Sequence, residues 1–245
     1  MKIIRGPLLL IAAVLQVTIA FFPSSFGIDG NIGSTAVQNE TPLSPAGFVF
    51  VIWLFLYSGS IFYAIWHLFA RSTPARTRTA WLAFLAFASN AVWAYHQPTF
   101  GPDFVSVAIL ESILLFSFLA GLSSRADNDV GKLGRSAYIV LFGLAGWIML
   151  ASAPGVSIAL SYEGVTPFGP DKLQESYIII GSWSIIALIA TSLARSFSFA
   201  VPIIWGLNGV ALANSDNPVF VGVLGGVAAL IITATWASKR RFDGK

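Results

Sequence analysis

Long apolar runs separated by short polar stretches set the pattern of this chain, and each run approaches the roughly 20 residues that a helix needs to cross a hydrocarbon core. Eight such spans are predicted, at about residues 7–22, 45–69, 80–97, 104–122, 136–160, 176–194, 197–214 and 219–238. Lys2 and Arg5 precede the first run as in a signal peptide, but no small-x-small cleavage site follows in AFFPSS, so it is predicted as an uncleaved span. Pro45 is expected in the first turn of the second helix, where its missing N–H costs nothing. Pro154-Gly155 is expected to interrupt and kink the fifth. The seventh carries Pro202 and two asparagines, Asn208 and Asn214. Gly222, Gly225 and Gly226 in the eighth suggest small-residue helix packing.

Composition places these helices in a bilayer. Of 245 residues, 56% are hydrophobic and 10% charged, against about 25% charged in a soluble domain; the mean hydropathy is +0.77. The fold class is therefore an all-α polytopic transmembrane bundle of about eight spans. Without cysteine there is neither a disulfide framework nor a thiolate metal site, and His67 and His96 are too few for a histidine cluster. No metal site is predicted.

The net charge of +3 is explained by its distribution and calls for no nucleic-acid partner. With the N-terminus in the cytoplasm and eight alternating spans, every Lys and Arg except Lys172 falls inside, while Asp29, Glu40, Asp103, Glu163, Asp171, Glu175 and Asp216 fall outside. This positive-inside bias supports the seventh span, without which Lys239, Arg240 and Arg241 would lie outside. Both termini are expected in the cytoplasm.

The candidate chemistry is aromatic. Phe50, Trp53 and Tyr57 follow at i, i+3 and i+7 and put three rings on one helical stripe. Such a stripe can wall a site for a flat hydrophobic ligand; the same spacing also serves helix packing or an interfacial belt. Asn90, Trp93 and Gln97 share a stripe of the third span. Glu111 is the ionisable residue deep within an apolar run, and reads either as a ligand- or proton-handling group or as a carboxyl tied to a neighbouring helix. At 1.5 Å rise per residue, Asn90 and Glu111 lie roughly 10 Å, and Trp53 roughly 12 Å, below the outer ends of their spans. Ser152 and Trp183 come out at similar depth. A cavity is thus expected in the outer half of the bundle, opening outward under the loop at residues 23–41, with a buried hydrogen-bond network as the alternative. Trp147 and Trp205 are candidates for packing or cavity lining, whereas Trp66, Trp81 and Trp236 sit near span ends as belt anchors. His96 could ligate a haem iron axially, but is read, like His67, as an interface residue.

Several of these motifs occur in an order that resembles the tryptophan-rich sensory protein/translocator protein (TspO/MBR) family. Pro45-Ala46-Gly47-Phe48-Val49-Phe50, Trp53 and Leu56-Tyr57 are similar to the opening of the family's second helix. Asn90 and Trp93 match its Asn-x-x-Trp, Glu111–Leu115 its acidic then Leu-rich fourth helix, and Trp147–Ser152 its fifth. Phe48 stands where the family has Trp, the covering loop lacks a Trp-Tyr pair, and Tyr162 has no downstream Lys or Arg to complete a cholesterol-recognition pattern. The resemblance divides the chain into a five-helix TspO-like domain, residues 1–163, and three additional helices, residues 164–245, as in longer bacterial relatives.

The resemblance implies a binding or sensory protein of the bacterial inner membrane for a flat, tetrapyrrole-type ligand, with no obligatory cofactor, and a homodimer. Phe50, Trp53, Tyr57, Trp93 and Trp147 are expected to contact the ligand, with Asn90 and Glu111 orienting its polar edge. The alternative is a small-solute transporter with Glu111 as a proton-coupled site; the inverted repeats that would support it are not visible. No nucleophile–base pair points to an enzyme, and no lysine sits within a late span to form a retinal Schiff base.

Overall fold

The computed structural model describes residues 2–29, 40–127 and 131–243, with side chains from residue 4 to residue 240 within those ranges. Among the described residues there are eight α-helices: α1 Lys2–Phe21, α2 Ile52–Phe69, α3 Pro74–Phe100, α4 Phe104–Ser124, α5 Lys132–Tyr162, α6 Lys172–Ala194, α7 Phe197–Ala213 and α8 Pro218–Asp243. Short 3-10 turns occupy Pro23–Phe26 and Gly47–Val51. Among the described residues there is no strand.

Local chemistry explains most boundaries. Thr73 caps α3 by accepting from the Arg76 N–H, and Pro74 follows at the first helical position. Asp103 caps α4 at 2.7 Å from the Ser106 nitrogen, and Asp171 caps α6 by accepting from Leu173 and Gln174. Asn217 Oδ1 accepts from the Phe220 N–H as α8 begins. Arg195 takes a left-handed conformation, φ 43°, to turn sharply from α6 into α7.

Helix ends alternate between two faces. At one end Arg5 of α1, His67 of α2 and Thr77 of α3 are hydrogen-bonded together, and Lys239 of α8 covers Phe197 of α7. Arg125, just after α4, donates to the Leu193 carbonyl of α6. At the other end His96 meets Asp103, Tyr162 donates to the Phe100 carbonyl, and Asn214 donates to the Pro42 carbonyl. We call these the basic and acidic ends. Six passes, α1, α2 with its leading turn, α4, α5, α6 and α8, are long and apolar enough to cross a membrane. Helix α3 is long but diluted by polar residues, and α7 has 17 residues.

Packing makes two rings that share α5. Contacts run α1–α2, α2–α5, α5–α4, α4–α3 and α3–α1 around the first, and α5–α7, α7–α8, α8–α6 and α6–α5 around the second. As the common member, α5 is the most deeply buried helix.

Three local expectations are corrected. Pro45 lies outside the second helix: the chain enters extended through Ala46, whose N–H bonds to the Gly209 carbonyl of α7, and tightens into the 3-10 turn before α2. Helix α5 continues past Pro154-Gly155 to Tyr162, held by neighbours on both sides. Close approach occurs at α5–α7, where a Cβ on Gly146 would collide with the Phe199 backbone carbonyl and one on Gly206 with the Leu150 side chain. Gly222, Gly225 and Gly226 instead face open space.

Candidate functional site

The first ring encloses a cavity of about 950 Å³ towards the acidic end, within the range of small-molecule sites. Its walls come from the end of α1, the Gly47–Val51 turn, α2, α3, the start of α4 and the middle of α5. Pro23 and the exposed Glu40 also line it. The rest of the expected covering loop, residues 30–39, lies outside the described residues.

Aromatic side chains shape the interior. Trp53 and Tyr57, one helical turn apart on α2, stack with centroids 4.9 Å apart and planes at 24°. Trp147 of α5 meets Phe50 at 6.0 Å and Trp53 at 6.1 Å, both edge-on at 84°. Phe21 closes on Tyr57 from α1 at 5.8 Å. Such offset and perpendicular pairings fix ring orientation and leave flat faces available. Phe50, Trp53, Tyr57, Trp93 and Trp147 therefore all line the cavity. Phe50 reaches it from the 3-10 turn rather than from a regular helix.

Asn90 and Glu111 are not among the lining residues. Asn90 is fully buried, and its Nδ2 donates to Gln16 Oε1 at 2.8 Å. Gln16 donates onward to Ser60 Oγ at 2.7 Å, and Ser60 to the Tyr57 carbonyl at 2.8 Å. The Tyr57 hydroxyl lies beside Asn90, although Asn90 Oδ1 completes no hydrogen bond of full geometry. This polar chain ties α3, α1 and α2 together and holds Tyr57 in place. Glu111 is half-buried on α4 and reaches Ser152 of α5, while Val107 and Leu110 of α4 present the wall.

Gln97 enters the site in a way that its place on the Asn90–Trp93 stripe only hinted at. It lines the cavity, is 6% exposed, and its Oε1 is buried without a hydrogen-bond partner. Glu40 is the one charged residue among the described lining residues. Pro154 and Gly155 also form wall: Gly155 leaves room for Leu110, whose Cδ2 would lie 3.1 Å from an added Cβ.

The remaining candidates have structural partners. His96 Nε2 is 3.0 Å from Asp103 Oδ1. Burial works against the Asp103 carboxylate, but the Ser106 N–H and His96 outweigh it and hold its pKa below the ordinary value. At the basic end His67 accepts from Arg5 Nε at 3.0 Å. Trp66 packs inward against Tyr138 and under Arg76. Trp236 is half exposed beneath Arg240. Sequence reasoning missed Asp127, which is buried after α4 and receives Arg76 Nε at 2.8 Å and the Tyr138 hydroxyl at 2.7 Å. Among the described residues no group of three or more His, Asp or Glu could hold a metal ion.

A family model described as TSPO-like protein matches residues 6–237, from the first turns of α1 into the last turns of α8. No curated protein and no solved structure matches the chain.

Proposed function

The chain belongs to the TSPO-like protein family, and from that premise we propose that this integral membrane protein is a receptor for a flat hydrophobic ligand of tetrapyrrole type. The observation that supports the reading is the Trp53–Tyr57–Trp147–Phe50 box in a cavity of about 950 Å³. Ring faces offer stacking and hydrocarbon walls exclude water, and the exposed Glu40 among the lining residues fits entry from the acidic end. By charge asymmetry that end faces away from the cytoplasm, with both termini inside the cell and the bundle in a bacterial inner membrane. The reading is binding rather than catalysis, because the described walls are mainly aromatic and aliphatic and pair no nucleophile with a base. The transport alternative requires Glu111 on a solute path, whereas its nearest polar contact is Ser152 of the adjoining helix.

Spectral and tryptophan-fluorescence titration of the detergent-solubilised protein with protoporphyrin IX, its dimethyl ester and haem tests this. A saturable change is expected with at least one of them, weakened about tenfold or more in Trp53→Ala and Trp147→Ala, as for loss of one aromatic stacking partner. Absence of saturation with every compound, or affinity unchanged in both variants, overturns the reading.

A further inference from the structure

The cavity carries information about the charge of its ligand. Its described walls contain one charged side chain, Glu40, and no Lys or Arg. Residues 30–39, which lie outside the described residues, contain no charged residue in the sequence. At the acidic end, Lys172 lies 3.5 Å from the Glu175 carboxylate and is not among the described lining residues. A carboxylate entering this space would lose water, gain no cationic partner among the described lining residues and meet Glu40 on the wall. A neutral or cationic molecule suffers none of these penalties.

Gln97 adds a second requirement. Its amide is more than nine-tenths buried against the cavity, and its Oε1 has no partner. In the orientation shown that oxygen has essentially no accessible surface; leaving it unmatched is costly, and a ligand N–H or O–H relieves that cost once the amide turns it to the cavity. An amide makes that turn by a half-rotation of its end group.

We infer that the cavity selects an uncharged or cationic flat molecule with a hydrogen-bond donor on its edge, held by Gln97, and discriminates against ligands that bring carboxylates. The inference rests on the ligand-binding reading and narrows it: a tetrapyrrole would bind with its acid groups masked or outside the cavity.

Two probe pairs test it in the same detergent: protoporphyrin IX against its dimethyl ester, and carbazole against N-methylcarbazole. The ester is expected to bind about tenfold or more tightly than the diacid, and Glu40→Lys to narrow or reverse that ratio. Because Glu40 is exposed, this variant leaves the packing intact. Carbazole is expected to bind about fivefold more tightly than its N-methyl derivative, with the difference lost in Gln97→Leu. Unfolding is not the cause if Gln97→Leu melts at or above the wild-type temperature, as removal of an unmatched buried amide predicts. Equal or tighter binding of the diacid that ignores Glu40→Lys, or a carbazole preference unaffected by Gln97→Leu, overturns the inference while leaving ligand binding standing. Failure of all four probes to saturate removes the ligand-binding reading itself.

Discussion

The indole nitrogen of Trp205 in α7 donates to the Val49 carbonyl at 2.9 Å, across 156 positions of sequence. The same ring meets Phe48 edge-on at 5.5 Å. Two further bonds, Ala46 N–H to the Gly209 carbonyl and Asn214 Nδ2 to the Pro42 carbonyl, hold the segment just ahead of the turn. Helix α7 thus clamps the turn that delivers Phe50 to the cavity, from outside the ring that encloses it.

Trp205→Phe keeps the ring and removes the donor, leaving the carbonyl of fully buried Val49 without that bond. A loss of about 1 kcal/mol of stability is expected, together with weaker ligand binding, although Trp205 is not a described lining residue. Thermal melts in detergent and the porphyrin titration measure the two effects. Unchanged affinity in a destabilised variant would separate the clamp from the cavity.

The α5–α7 contact makes a sharper steric prediction. Gly146→Ala would drive its Cβ into the Phe199 carbonyl oxygen, a backbone atom that cannot swing aside. Helix α7 must then move, at an expected cost of about 1–3 kcal/mol or more. Gly222→Ala, where a Cβ meets nothing within 4 Å, is expected to be neutral or stabilising by up to about 1 kcal/mol. Parallel melting curves of the two variants check the contrast.

These contacts show which parts of the architecture could be read in advance. Apolar runs reveal the order of the helices, and six of those described have the length and composition that bilayer thickness demands. The Phe50–Trp53–Tyr57 stripe is legible because rings at helical spacing share a face whatever surrounds them. The start of α3 was hidden: Arg76 and Arg78 resemble loop residues until Asp127 and Ser123 supply their partners. Asn90 looked free to orient a ligand, but Gln16, 74 positions earlier, occupies its amide. Gln97 shows the converse: both amides leave an oxygen unpartnered, but only the assembled bundle reveals that Gln97 lies on the cavity wall and Asn90 does not. The glycine motif in α8 misled because small residues mark a tight contact only when another helix lies against them.

At the basic end, Arg76 and Asp127 form an ion pair with side chains 4% and 1% exposed, and Tyr138 donates to the same carboxylate. Removing one member strands buried charge, so Asp127→Leu or Arg76→Met is expected to cost about 3–5 kcal/mol. The double variant Arg76→Met/Asp127→Leu should recover most of that loss, because matched apolar groups need no counter-charge. Urea or thermal denaturation of the three proteins measures the coupling, and additive losses in the double variant would contradict it.

The His96–Asp103 pair predicts an acid-dependent weakness at the opposite end. Asp103 accepts from the Ser106 N–H at 2.7 Å as the cap of α4 and lies 3.0 Å from His96. These contacts favour the carboxylate, so its native pKa is lower than that of the unfolded chain. A depressed carboxyl pKa contributes stability that is complete above the unfolded value, about 3.9, and disappears as pH falls through the native one. Asp103→Ala should lose about 1 kcal/mol at neutral pH through the missing cap. Asp103→Asn keeps a capping oxygen and should fall between Asp103→Ala and wild type. Melting temperatures measured from pH 7 down to pH 3 should show the gap between wild type and Asp103→Asn closing below about pH 4. A gap that persists unchanged to pH 3 would place the stabilisation in the shape of the cap rather than in its charge.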